Sequence, residues 1–221
     1  MAKPGKFSDL MAAVAEVGAL YDGLVYIGGI AVYLHAINRE ATASYAEATA
    51  DADLYISLAS LSELREIEET TQNTRLSKHE FQKDGFSFDV YAERQSSLPV
   101  PYDHVAAHAR QYDGVSVAAL EELLVLKLEA AADRHASQHG RKDAKDVIRI
   151  LLLADLAQDF DADRAIAFMQ DRHYERLEAI MKGPEFTALA EGNAKVAKQL
   201  REAAQQAFDA IKMAYESGPE P

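Results

Sequence analysis

Residues 26–56 read YIGGIAVYLHAINREATASYAEATADADLYI, and most of what the sequence says about the fold is in this stretch. Leu24 to Ile27 is apolar enough for a short buried strand, Gly28-Gly29 is a tight turn, and Ile30 to Ala36 has helical character. Free amides and the positive dipole end at the start of such a helix suit an anion. Asp51 leads into a second strand at 52–57, and Asp53 lies on it. Strand side chains alternate between faces, so the two carboxylates project to one side, where like charges repel unless a cation lies between them.

Outward from this stretch, 8–21 places Leu10, Val14, Val17 and Tyr21 at helical spacing, with Ser8 positioned to cap the start. EATASYAEA, after Arg39, reads as a loop or helical extension. Ser60 to Glu63 has capping-box spacing and opens a helix to about Glu69. Strands near His79–Gln82 and Phe86–Tyr91 follow, joined by Lys83-Asp84-Gly85, a hairpin signal. Phe86, Phe88 and Val90 alternate towards a core, which leaves Asp89 on the opposite face. If its strand pairs with that of Asp53, Asp89 completes a three-acid cluster.

Residues 95–103 contain prolines and read as a connection, and 114–117 reads as a last short strand or bridge. From Ala118 the pattern is helical, over 118–137, 141–157, 162–181 and 187–216. The expected organisation is an α/β domain over 1–115, a helical domain over 116–216 and a disordered tail over 217–221.

The 221 residues are 48% hydrophobic and 8% aromatic, ordinary values for a globular protein with a real core. No segment approaches the ~20 apolar residues of a membrane span, and MAKPGKFSDL lacks a signal peptide's apolar core. A cytoplasmic location without a membrane partner is the expectation. There is no cysteine, which excludes disulfides, thiolate zinc sites and a cysteine nucleophile. The net charge of −13 argues against non-specific DNA binding. One local basic patch stands out, with Arg134, Arg141, Lys142, Lys145 and Arg149 around His135 and His139.

Asp51 and Asp53 taken alone could be solvent-facing strand-edge charges; Asp89 shifts the balance towards a hard-cation site. Three such carboxylates suit Mg²⁺ or Mn²⁺, which takes oxygen ligands and bridges to substrate phosphates. Gly28-Gly29 fits neither GxGxxG nor GxxxxGK[ST]. His104/His108 and His135/His139 have i, i+4 spacing, but Val105 and Ala136 stand where a zinc protease needs Glu. No Ser-His-Asp set, nucleophile elbow or Cys-His pair can be assembled.

The order strand, Gly-Gly, helix, T-x-D-x-D, then an isolated Asp in F-D-V-Y, resembles the minimal nucleotidyltransferases of the DNA-polymerase-β superfamily. The nearest resemblance is to the AbiEii-type toxin nucleotidyltransferases. It implies an α+β nucleotidyltransferase fold, a mixed sheet with flanking helices, followed by a helical C-terminal domain. It assigns Gly28 and Gly29 to the nucleotide triphosphate, Asp51, Asp53 and Asp89 to metal binding and catalysis, and Thr49 to the acid pair's side. His35 and Arg39 match a family His and Arg, although the segment from Arg39 to Thr49 exceeds the compact link of that pattern. LEELLVLK, Arg134 and RKDAKD resemble a helix Lys, a later Arg and a K-D-x-x-D segment. Lys127, Arg134 and Lys142 are thereby implied at phosphate, with Asp143 and Asp146 orienting them. The resemblance spans about residues 22–155.

The resulting expectation is NMP transfer from an NTP to an acceptor hydroxyl, on a tRNA end or a protein, in a cleft between the two halves. A toxin role with an antitoxin partner is part of that resemblance. Two rivals stand beside it: a catalytically silent scaffold serving as an interaction module, and a small-molecule, aminoglycoside-like nucleotidyltransferase.

Overall fold

The computed structural model describes residues 6–74, 77–134, 137–157 and 159–218. The chain divides between Ala119 and Leu120 into two compact units.

The first unit opens with α1 (Phe7–Leu20), which buries Leu10, Val14 and Val17 at helical spacing. Ser8 does not cap it. The helix already includes Phe7, the Ser8 hydroxyl bonds Asp9, and the Asp9 carboxylate accepts the Lys6 amide at 3.2 Å. β1 (Val25–Ile27) is buried throughout. The Tyr26 hydroxyl donates to the Val14 carbonyl at 2.9 Å, tying β1 to α1, and burial pushes the Tyr26 pKa well up. α2 (Gly28–Ile37) follows with no separate turn, because Gly28 and Gly29 are themselves its first residues.

A 3₁₀ turn over Glu40–Tyr45 fills the stretch before the next strand, and the Thr42 hydroxyl donates to the Ala36 carbonyl at 2.7 Å. β2 (Asp51–Ile56) leads to α3 (Leu58–Ile67). The cap of α3 is Ser57, three residues before the expected Ser60, and its hydroxyl accepts the Ser60 amide at 3.1 Å. Ser60 instead donates to the Asp22 carbonyl at 2.7 Å.

β3 (Thr71–Asn73), β4 (Lys78–Lys83) and β5 (Phe86–Ala92) come next. β4 and β5 form the expected hairpin, with φ of 51° at Asp84 and 82° at Gly85, the left-handed pair that a two-residue turn needs. Phe86, Phe88 and Val90 are buried. α4 (Tyr102–His108), β6 (Arg110–Tyr112) and β7 (Val115–Val117) complete the unit.

Among the described residues the strands form one sheet in the order β3-β4-β5-β2-β1-β7-β6. β2 runs parallel to β5 and β1 parallel to β7, while the other pairs are antiparallel. The sheet is mixed, as expected. Three elements were not expected: β3, β6 and α4. β3 reads TQN and lacks apolar alternation because it lies at the sheet's edge, exposed at both Thr71 and Gln72.

The second unit is helical: α5 (Leu120–Asp133), α6 (Gln138–Leu156), α7 (Ala162–Ile166), α8 (Asp171–Lys182), α9 (Glu185–Leu189) and α10 (Ala194–Ser217). The single helices expected over 162–181 and 187–216 each divide in two. α8 starts afresh because the Gln170 amide donates to His173 Nδ1 at 3.1 Å, and His173 Nε2 is held by Glu129 of α5 at 2.5 Å. The second division falls at Glu191-Gly192, both with positive φ, after which Asn193 caps the Lys195 and Val196 amides. α10 includes Ser217, one residue into the expected tail, and 219–221 lie outside the described residues. Among the described residues no helix is long and apolar enough to cross a membrane.

Candidate functional site

The sheet register gathers the acids. β1 and β2 pair antiparallel with Ile27 opposite Asp53, and β2 and β5 pair parallel with Asp53 opposite Asp89. Asp51, two residues before Asp53, shares its face, and β4 brings Glu80 opposite Asp89. Glu80, Asp89 and Asp53 therefore form a row across three adjacent strands, with Asp51 alongside. Asp51 is exposed, and the other three are half-buried. Glu80 was not singled out from the sequence, where it reads as an ordinary hairpin charge.

The two glycines lie against this row. Because Ile27 ends β1 opposite Asp53, the next residue, Gly28, crosses directly over that carboxylate. A Cβ there would overlap the Asp53 carboxylate, and Gly28 has φ +75°. At Gly29 a Cβ would stand 3.1 Å from both Cβ and Oγ1 of Thr49. The Thr49 hydroxyl in turn donates to Asp51 Oδ1 at 2.7 Å. Gly28, Gly29, Thr49, Asp51, Asp53 and Asp89 are thus neighbours in the first unit.

A cation is already part of the row. Lys78, on β4 two residues before Glu80, places Nζ 2.5 Å from Asp89 Oδ2 and 3.2 Å from Glu80 Oε1. Its side chain is 10% exposed. Burial opposes the ammonium's charge, but the Asp89 and Glu80 carboxylates outweigh it and raise the Lys78 pKa. Glu80 also accepts from Asn73 Nδ2 at 3.1 Å, a bond that with Lys78 lowers its pKa. Lys78 precedes the expected strand and belongs to no motif, so nothing in the local pattern marks it. Among the described residues, the oxygens of Asp51, Asp53 and Asp89 do not all lie within 4.8 Å of one another.

His35 is a structural link. Its Nε2 lies 2.8 Å from the Ala118 carbonyl and its Nδ1 2.9 Å from the Tyr112 hydroxyl. The carbonyl can only accept, so Nε2 carries the proton and Nδ1 accepts from Tyr112. Arg39, before the 3₁₀ turn, is exposed.

The C-terminal candidates make a separate network within the second unit. Lys127 on α5 is buried, with Nζ 2.7 Å from Asp146 Oδ2 and 3.3 Å from Asp143 Oδ1 on α6. Arg134 Nη2 bonds Asp143 Oδ2 at 2.7 Å, and Arg149 Nη1 bonds Asp146 Oδ1 at 2.8 Å. Burial pushes the Asp146 pKa up, but Lys127 and Arg149, with Lys142 adding to the positive field, hold it below the ordinary carboxylate range. Asp143 thus pairs with both Lys127 and Arg134 and Asp146 with Lys127 and Arg149, the last of which the sequence places only in a basic patch. The Arg134 side chain is half exposed. His104 and His108 adjoin on α4, ring centroids 4.4 Å apart; His135 lies outside the described residues, so the second histidine pair has no structural account.

The donor set around Asp53 suits a hard divalent cation. Its members are carboxylates on one face, the oxygen ligands such an ion takes, and the glycine backbone leaves Asp53 uncovered by any side chain at position 28.

No protein-family model matches the chain, and no curated protein matches it. Solved structures do. An antigenic nucleotidyltransferase-like protein from Paracoccidioides brasiliensis is 15% identical with a TM-score of 0.50, covering 84% of this chain and 93% of its own. JHP933 from Helicobacter pylori is 16% identical with a TM-score of 0.51, covering 96% of this chain and 94% of its own. At such identities the likeness is one of fold: a mixed sheet, followed along the chain by a helical C-terminal region, of the kind found in nucleotidyltransferase-like proteins.

Proposed function

We propose that the chain is a metal-dependent nucleotidyltransferase of the AbiEii type, moving an NMP from an NTP to an acceptor hydroxyl. The observation that carries this reading is the register pairing of Asp53 with Asp89, beside a Gly28 that has no room for a side chain. Asp51, Asp53 and Asp89 would hold Mg²⁺ or Mn²⁺, which supplies charge neutralisation at the attacking and leaving oxygens. Gly28 and Gly29 would seat the triphosphate against the amides that open α2. The acceptor hydroxyl gives up its proton towards Asp89 and bonds to the α-phosphorus, while pyrophosphate leaves. By the same resemblance Lys127, Arg134 and Lys142 would serve phosphate, with Asp143 and Asp146 holding Lys127 and Asp143 holding Arg134. A tRNA end or a protein as acceptor, and an antitoxin as partner, belong to the same proposal.

A second reading, a silent scaffold, is favoured by the Lys78–Asp89 ion pair, which satisfies a proposed metal ligand internally. One screen separates the two. Radiolabelled NTPs are offered with Mg²⁺ to total tRNA, cell lysate and the protein itself. The expected result is a labelled product with the wild type and none with D51N/D53N, at unchanged secondary structure. Undiminished labelling by D51N/D53N overturns the metal role. No labelling, together with no Mg²⁺-dependent heat on titrating NTPs, selects the scaffold.

A further inference from the structure

We infer that Lys78 is a built-in counter-cation of the acid row, and that a divalent ion engages Asp89 only by displacing it. The inference rests on the metal-binding reading above and names a regulation of that site.

Like charges directly opposite each other on neighbouring strands repel, and Glu80–Asp89–Asp53 is two such contacts in sequence. The row persists in the fold because Lys78 lies on the same face and reaches both Asp89 and Glu80. The Lys78 side chain is largely buried and that of Asp89 mostly so, which screens their attraction less than at an open surface. Oδ2 of Asp89 is turned to this ammonium. Lys78 stands on β4, on the side of β5 away from β2 and Asp53. A divalent ion shared by Asp53 and Asp89 brings a second cation to the carboxylate that Lys78 already holds, and two cations on one carboxylate repel each other. Metal loading therefore becomes an exchange, in which Asp89 turns from Lys78 towards Asp53 and Glu80 remains as the lysine's partner. Glu80, bonded to Asn73 and Lys78, is the holding point for the displaced ammonium.

The test is Mn²⁺ binding by electron paramagnetic resonance, with thermal unfolding in chelator, for the wild type, K78Q and K78R. The expected K78Q protein binds Mn²⁺ about tenfold more tightly, the factor matching loss of one charge-assisted hydrogen bond. It also unfolds at a lower temperature in chelator and gains more from Mn²⁺ than the wild type does. K78R, which keeps the cation, binds as weakly as the wild type. Equal Mn²⁺ affinity in wild type and K78Q overturns the exchange and leaves the metal reading intact. No Mn²⁺ binding by any of the three overturns both, at the level of the metal site itself. A measurement on the unaltered protein covers a K78Q that does not fold: ¹⁵N-lysine NMR should show a protected Lys78 ammonium whose resonance moves on Mg²⁺ saturation. A resonance unmoved at saturating Mg²⁺ also overturns the exchange.

Discussion

Gly28 lies so close over Asp53 that the smallest possible side chain would overlap the carboxylate. The closeness follows from register, since Ile27 ends β1 opposite Asp53 and the chain turns at once into α2.

Gly28→Ala should therefore be costly and Gly29→Ala cheap. At Gly28 the left-handed backbone alone costs an L-residue about 1–2 kcal/mol, before the overlap is relieved. At Gly29 the Thr49 contact at 3.1 Å is tight but the backbone is ordinary, and alanine favours the helix by about 1 kcal/mol. Thermal unfolding followed by circular dichroism should show a clear loss for G28A, and G29A within about 1 kcal/mol of wild type. Equal losses would place the constraint elsewhere.

The Lys127 network predicts a pH-dependent stability. Asp146 has its pKa lowered in the folded chain, so its contribution is fully present above the unfolded value of about 3.9 and is lost as pH falls below it. K127M leaves Asp143 and Asp146 buried with less compensation, at a cost of about 3–5 kcal/mol near neutrality. The gap between wild type and K127M should narrow below about pH 4, as protonation removes the charge the lysine neutralised. Urea unfolding at pH 7 and pH 3 checks this; a gap that does not change with pH would argue for packing alone.

His35 predicts a stability effect. With Nε2 donating to Ala118 and Nδ1 accepting from Tyr112, both ring nitrogens serve the link between α2 and the β6–β7 hairpin. Y112F should lose about 1 kcal/mol, a typical net hydrogen bond, in denaturant unfolding. An unchanged midpoint would mean that Tyr112 leaves His35 satisfied by other means.

Much of this arrangement is legible in the chain itself. The apolar alternation of Phe86, Phe88 and Val90 put Asp89 on the far face, and Asp84-Gly85 announced the hairpin. Asp113-Gly114 carried the same signal for β6–β7, with φ of 49° and 81°, but its flanking strands are too short for alternation to mark. The divided C-terminal helices had a cue in Gly192-Asn193, whereas the start of α8 depends on Glu129, distant in sequence and close only after folding.

Local pattern by itself determined which residues could share a face: Asp51 with Asp53, the glycines with the start of a helix, Lys127 with an apolar helical stripe. Strand periodicity is a property of the backbone and needs no partner. Tertiary structure alone decided which faces meet. A one-residue slip of β5 against β2 would send Asp89 to the core side, and only burial of Phe88 and Val90 forbids it. The position of Lys78 in the acid row is a tertiary fact of the same kind, because the partner of a long, flexible side chain is set by the strands around it.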